Sequence, residues 1–141
     1  MKKLADEKSP ASKTIQMLYL GNNNLTEIPV EFKNLKKLGK LDCNNNKITK
    51  VYPLGKDVNL VQLTMDYNQI TEVPNDFCGY EDVESFSFAH NKITTFPNIF
   101  NAKSVYVMSS VDFSYNEITG FAGKMGLEMT PLRELMHRLC H

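Results

Sequence analysis

The chain has 141 residues, of which 42% are hydrophobic, 23% charged and 10% aromatic, the balance expected of one globular domain. Its longest apolar runs are a few residues, such as Val105 to Met108, against the roughly 18 to 20 that a membrane-spanning helix needs, so such a helix is excluded. Lys and Arg number 16 and Asp and Glu 16, which argues against the basic excess of a dedicated nucleic-acid binder.

That neutrality hides an asymmetry. Residues 1–40 hold eight lysines (2, 3, 8, 13, 33, 36, 37 and 40) against four acids (Asp6, Glu7, Glu27 and Glu31). Residues 41–100 reverse the excess, with Asp42, Asp57, Asp66, Glu72, Asp76, Glu81, Asp82 and Glu84 against Lys47, Lys50, Lys56 and Lys92. Two solvated faces are the plainer account of it, because such a field steers encounters without naming a partner.

Residues 1–14 are mostly Lys, Asp, Glu, Ser, Pro and Ala with Leu4 among them, a composition that predicts a disordered tail unable to cover a core. Charges stand in Met1 to Glu7 where the apolar stretch of an export signal would sit.

From residue 15 onward one phrase recurs five times. Its first copy sets Leu18, Leu20, Asn23, Leu25, Thr26, Ile28 and Pro29; the later copies place their asparagines at 46, 68, 91 and 116, a nearly constant interval. Ile15, Leu38, Leu60, Val83 and Met108 stand three positions ahead of each copy. The repeats therefore divide as 15–37, 38–59, 60–82, 83–107 and 108–122, followed by 123–141. Alternating apolar residues predict one short strand per repeat, its apolar side chains inward. The turn after it leaves backbone groups in need of partners. Asn has both an amide and a carbonyl to satisfy them, so Asn23, Asn46, Asn68, Asn91 and Asn116 are expected to stack as a structural ladder. Thr26, Thr49, Thr71, Thr94 and Thr119 form a parallel column, predicted to be a second ladder of hydroxyl and methyl contacts. Pro29, Pro74 and Pro97 fix an extended backbone where the chain enters the outer side. The second copy displaces its proline to Pro53, which predicts a re-routed outer segment. Phe32, Phe77 and Phe100, followed by Leu35 and Tyr80, suit a helical or 3₁₀ turn there.

At the end of the chain Thr130 and Pro131 read as the start of a helix carrying Leu132, Leu135, Met136 and Leu139 on one face, a predicted cap for the core. The opposite end has no such cover, which suits a piece of a longer array, with further repeats or self-association at the N-terminal end.

These repeats resemble the leucine-rich repeat family, in its form of about 23 residues per repeat, over positions 15–122. Their Asn-x-Ile-Thr-x-x-Pro tone, with aromatic residues at core positions, looks like leucine-rich repeat proteins of gut Bacteroidetes, which are mostly surface or secreted. The resemblance implies an α/β repeat solenoid: a right-handed coil with a concave parallel sheet, an irregular or 3₁₀ convex side and a C-terminal capping helix. Location would be the cell surface or secreted if the chain is excised from a longer bacterial protein, and cytoplasmic otherwise.

Chemistry-bearing clusters are sparse. Cys43, Cys78 and Cys140 lack disulfide-framework spacing, and Cys43 replaces a core leucine as a small hydrophobe. His137, Cys140 and His141 meet on one helical face but offer three of the four ligands that structural zinc wants. Asp42 and Asp66 supply too few oxygens for calcium. Asp66, His90 and Ser114 share the concave face, yet no nucleophile elbow or cleft-forming loop accompanies them. No metal, cofactor or catalytic activity is therefore expected.

The strongest binding signal is Tyr67, His90 and Tyr115, one column on successive strands about 5 Å apart. They stand beside small serines and an alanine, with Tyr19, Asp42, Asp66 and Asp112 elsewhere on the same face. The same rings could equally stack on one another and only shield the Asn ladder. The expected function is noncatalytic recognition of a protein or peptide on the concave face, without nucleic-acid binding or membrane insertion. Two alternatives stand beside it: a passive spacer in a longer bacterial surface protein, or the substrate-recognition part of an effector enzyme, for which no catalytic cysteine motif is present.

Overall fold

A computed structural model of the chain describes residues 5–79, 81–97 and 108–121. Five three-residue strands line one side of the coil: β1 (Met17–Tyr19), β2 (Lys40–Asp42), β3 (Gln62–Thr64) and β4 (Ser85–Ser87), then, after the two-residue β5 (Thr95–Phe96), β6 (Ser110–Asp112). All pair in parallel in the order β1-β2-β3-β4-β6. The register places one repeat squarely beside the next, Leu18 opposite Leu41, Leu41 opposite Leu63, Leu63 opposite Phe86 and Phe86 opposite Val111. Because side chains alternate along a strand, that register sends Leu41, Leu63 and Phe86 into a single core and leaves their neighbours on the concave face. A second parallel pair joins β5 to β7 (Gly120–Phe121) on the far side of the turns.

The core column after each strand grows in volume along the coil, from Cys43 through Met65 to Phe88 and Phe113, all buried. Its aromatic end closes on itself, with ring centroids 4.8 Å apart for Phe86 and Phe88, 5.6 Å for Phe88 and Phe113, and 4.6 Å for Phe96 and Phe113. Coil packing is strictly between neighbours, so Ile15, Leu18, Leu20 and Leu25 in the first coil are only partly buried.

The asparagines stitch each coil to the one before it. Asn68 accepts from the Ile48 N–H at 3.0 Å and donates its amide to the carbonyls of Cys43 and Met65 at 3.0 and 3.1 Å. Asn46, Asn91 and Asn116 repeat the pattern, accepting at 3.0 Å from the N–H groups of Leu25, Ile70 and Ile93. Asn23 is exposed and donates only within its own coil, to the Leu20 and Gly21 carbonyls. The threonine column is exposed and links coils through its backbone: the Thr49 N–H donates to the Thr26 carbonyl and the Thr119 N–H to that of Thr94, each at 3.0 Å.

On the convex side Pro29, at φ −58°, leads into a 3₁₀ turn over Val30–Asn34 that buries Phe32 and Leu35. The third coil repeats the turn, its Phe77 N–H donating to the Pro74 carbonyl as Phe32 does to Pro29. The second coil takes another route. After Pro53 it turns at Gly55, at φ +79°, and buries Leu54 and Val58. Gly79 lies against this detour so closely that a Cβ there would stand 2.6 Å from the Lys56 carbonyl oxygen.

The structure corrects one expectation for the residues it describes before residue 15. Residues 5–14 are not a disordered tail: Ser9 caps a 3₁₀ turn over Pro10–Lys13, Ser12 is buried, and Ala5 is fully buried in the core cluster. The Asn34 amide ties the segment down by donating to the Ala5 carbonyl at 3.0 Å. A small methyl and local Ser hydrogen bonds do here what hydropathy alone did not suggest. The expected capping helix, with Leu132, Leu135, Met136 and Leu139, lies outside the described residues, as do Phe100, Tyr80, His137, Cys140 and His141.

Candidate functional site

Each strand of the sheet ends at a corner where the chain leaves the concave face for the Asn ladder. The corner residues are Asn22, Asn45, Tyr67, His90 and Tyr115, and all five are left-handed, with φ between 54° and 57°. Their N–H groups keep the sheet ladder going: Asn45 donates to the Asp66 carbonyl at 2.9 Å, Tyr67 to Ala89 at 3.0 Å and His90 to Ser114 at 3.0 Å. Asn, and to a lesser degree Asp and His, visit this region readily, whereas other non-glycine side chains, Tyr among them, are disfavoured there by about 1–2 kcal/mol. The corner must turn left in every coil, so the sequence can only choose which side chain bears that strain.

In the last three coils it chooses rings. The Tyr67 and His90 centroids are 4.2 Å apart and those of His90 and Tyr115 4.1 Å, both pairs within 10° of parallel. The three form one pile along the coil axis. Both sequence readings of the column have a counterpart in this geometry: the rings stack on each other, and they remain open, Tyr67 at 54% and Tyr115 at 72% exposure. Stacking occupies the faces of His90 and the inner faces of the tyrosines. The ring edges and the outer face of Tyr115 are left to solvent.

Tyr19 stands apart from the pile, on β1 at the other end of the sheet, with the Lys40 ammonium 5.3 Å from its ring centroid. Asp42 and Asp112 hold the same register position on β2 and β6, and each bends back on its own turn. Asp42 Oδ1 accepts from the Asn44 N–H at 3.0 Å, and Asp112 Oδ1 from the Ser114 N–H at 2.8 Å. Asp66 instead reaches into the next coil, where its Oδ1 accepts from the Ser87 hydroxyl at 2.5 Å and the Ala89 N–H at 2.9 Å. Burial pushes the Asp66 carboxyl above the ordinary carboxylate range; nearby Asp112 adds to the rise, while the hydrogen bonds from Ser87 and Ala89 and the proximity of His90 oppose it.

Asp66, His90 and Ser114 are not joined as a relay: Asp66 is engaged with Ser87, and the Ser114 N–H with Asp112. Cys43 is buried, and desolvation, with Asp42 adding to it, pushes its thiol up to about 12. Such a thiol packs and does not attack.

Three features escape a reading of the sequence by columns. The left-handed corner is one, and Asn at both 22 and 45 was its available signal, since Asn is the side chain that tolerates that backbone. Ala89 is another: it alternates outward on paper but is buried, and its N–H is the anchor of Asp66. Asn44 is the third, its Oδ1 accepting from the Asp66 N–H at 2.7 Å, so neighbouring coils are also tied together across the concave face.

The stacked single-strand coils, a parallel sheet and an Asn ladder define a repeat solenoid. Comparison with known proteins agrees. The family described as leucine-rich repeats in two copies matches residues 13–56. Human lumican is 29% identical over 107 residues, covering 74% of this chain and 31% of its own length. A leucine-rich repeat protein of Bacteroides eggerthii superposes with a TM-score of 0.75 at 48% identity, over 84% of this chain and 20% of that one. One from Bacteroides thetaiotaomicron gives 0.76 at 51% identity, over 83% of this chain and 14% of that one. The chain is built of leucine-rich repeats, and its sequence likeness to Bacteroides leucine-rich repeat proteins is matched in structure. It spans about a third or less of the length of these three proteins.

Proposed function

We propose that this chain is a noncatalytic recognition module that binds a protein or peptide on its concave face, anchored by Tyr67, His90 and Tyr115. The carrying observation is that three consecutive coils place rings at left-handed corners where Asn serves in the first two. Rings at such positions cost stability, and their stacking offsets part of it, but stacking alone does not call for two tyrosines left more than half exposed. Exposed, mutually braced aromatic side chains on a rigid sheet are what interface anchors look like, because little entropy remains to be lost on binding. Tyr19, Asp42, Asp66 and Asp112 supply the surrounding polar and aromatic contacts.

Binding is tested with Tyr67→Asn, His90→Asn and Tyr115→Asn combined, since Asn already occupies this column and keeps the fold. The captured partners of the intact protein, recovered from bacterial or host surface extracts and identified, should be lost from the triple variant. Capture undiminished by the three substitutions would refute the assignment and leave the chain a spacer.

A further inference from the structure

The carboxylates of the concave face are prepared for a charge that the protein does not supply. Asp42, Asp66 and Asp112 each commit Oδ1 to a neighbouring N–H or hydroxyl and leave Oδ2 without a hydrogen bond or ion pair. Among the described residues the ion pair is Lys36 with Asp57 at 3.7 Å, on the convex side. The outward positions of β3, β4 and β6, with the residue two beyond β3, carry Asp66 and Asp112 and no Lys or Arg; the others are Gln, Thr and Ser. At the first coils the same face shows what belongs there, for Lys40 rests over the Tyr19 ring. The exposed tyrosines of the later coils, Tyr67 and Tyr115, have no such cation over them.

We propose that the concave face docks an extended basic segment of its partner, with arginine or lysine side chains pairing with Asp42, Asp66 and Asp112 and capping the open tyrosine rings. The inference rests on the recognition reading above and adds the chemistry of the ligand. Charge complementarity carries it: residues 41–100 hold eight acids against four lysines, and on the concave face Asp42, Asp66 and Asp112 stand outside the Lys36–Asp57 ion pair, with no Lys or Arg among the outward positions of β3, β4 and β6. The Oδ1 bonds hold each carboxylate in one rotamer before a partner arrives, which removes much of the ordering cost that makes exposed ion pairs weak. Geometry sets the spacing. Asp42 and Asp112 lie in register across three strand steps, about 14 Å at about 4.8 Å per step, which four residues of extended chain span. Cations at alternate residues of such a segment would all face the sheet. Arginine suits the site better than lysine, because its guanidinium can donate to the open Oδ2 while its planar face stacks on a ring.

The test uses fluorescein-labelled octapeptides alternating Arg, Gln or Glu with Ser, titrated with the full chain and read by fluorescence anisotropy. The Arg peptide is expected to bind, and to bind about tenfold more weakly in the Asp42→Asn, Asp66→Asn and Asp112→Asn triple variant or when salt rises from 50 to 300 mM. A charge-matched control, Asp57→Asn with Glu72→Gln and Asp76→Asn on exposed sites away from the face, should leave the affinity within twofold. Circular dichroism confirms that each variant is folded. No binding of the Arg peptide, equal binding of the Gln or Glu peptide, or equal loss in the control overturns the inference. If a captured partner is lost with the ring variant but kept by the concave-Asp variant, the recognition surface stands and its basic ligand does not; if both variants keep it, both fall.

Discussion

The ring of His90 lies 4.1 Å from that of Tyr115 with the two planes 10° apart, although a full coil of chain separates them. Both sit on left-handed backbone, so each gives up a favourable φ for what it gains in stacking. Replacing Tyr115 with Asn keeps a side chain suited to the corner, whereas Ala keeps neither ring nor tolerance. Urea unfolding should therefore find Tyr115→Asn more stable than Tyr115→Ala by about 0.5–1 kcal/mol, against the order expected from helix or strand propensity. Equal stability would mean that the corner relaxes on truncation.

The Asn ladder makes a sharper contrast. Asn68 is 8% exposed and serves the Ile48 N–H of the coil before it, while Asn23 is exposed and serves its own coil. Asn68→Ala strands a buried donor and should cost about 2–4 kcal/mol by chemical denaturation. Asn23→Ala should cost less than about 1 kcal/mol, because water can replace what it gives up.

Asp66 makes stability depend on pH in an unusual direction for a carboxylate. Its folded pKa is raised, chiefly by burial, so the folded state holds the proton more tightly than the unfolded one. Stability from this group is fully present below its ordinary value of 3.8 and is lost as pH rises through the raised value. Asp66→Asn keeps an acceptor for Ser87 and Ala89 but cannot ionise. It should melt higher than the native chain at pH 7, and that advantage should vanish at pH 3. A variant that melts lower at both values would show that the charge itself is needed by the fold.

Cys43 should resist alkylation. Its pKa, raised from 9.0 to about 12, keeps it a buried neutral thiol, and the thiolate is the reactive form. Iodoacetamide labelling followed by peptide mapping should find Cys43 unmodified in the native protein at pH 8 and fully modified in urea. The unfolded thiol ionises first, so this group's contribution to stability is present below pH 9.0 and declines as pH climbs toward about 12.

The strands, their register and the inward columns were legible because they follow from a period-two pattern repeated at a fixed interval: Leu41, Leu63 and Phe86 could be placed side by side without coordinates. Backbone handedness was harder. Nothing in the apolar pattern says that position 67 has φ 56°, and Tyr there hides what Asn at 22 and 45 hints. Asp66 was visible as an outward acid, but its hold on the following coil depends on Ala89 presenting a buried N–H, which composition does not reveal. The folding of residues 5–14 rests on one buried methyl and a few serine hydrogen bonds, too little apolar area to register in hydropathy.

The shared corner after each strand separates two requirements that most folds entangle. Its backbone is held by main-chain bonds and by the ladder beneath it, so the path of the coil does not depend on which side chain stands there, although its stability does. Exchanging Asn for Tyr or His there rewrites what a visiting molecule meets while the frame is kept. A repeat of this kind can acquire new tastes one winding at a time.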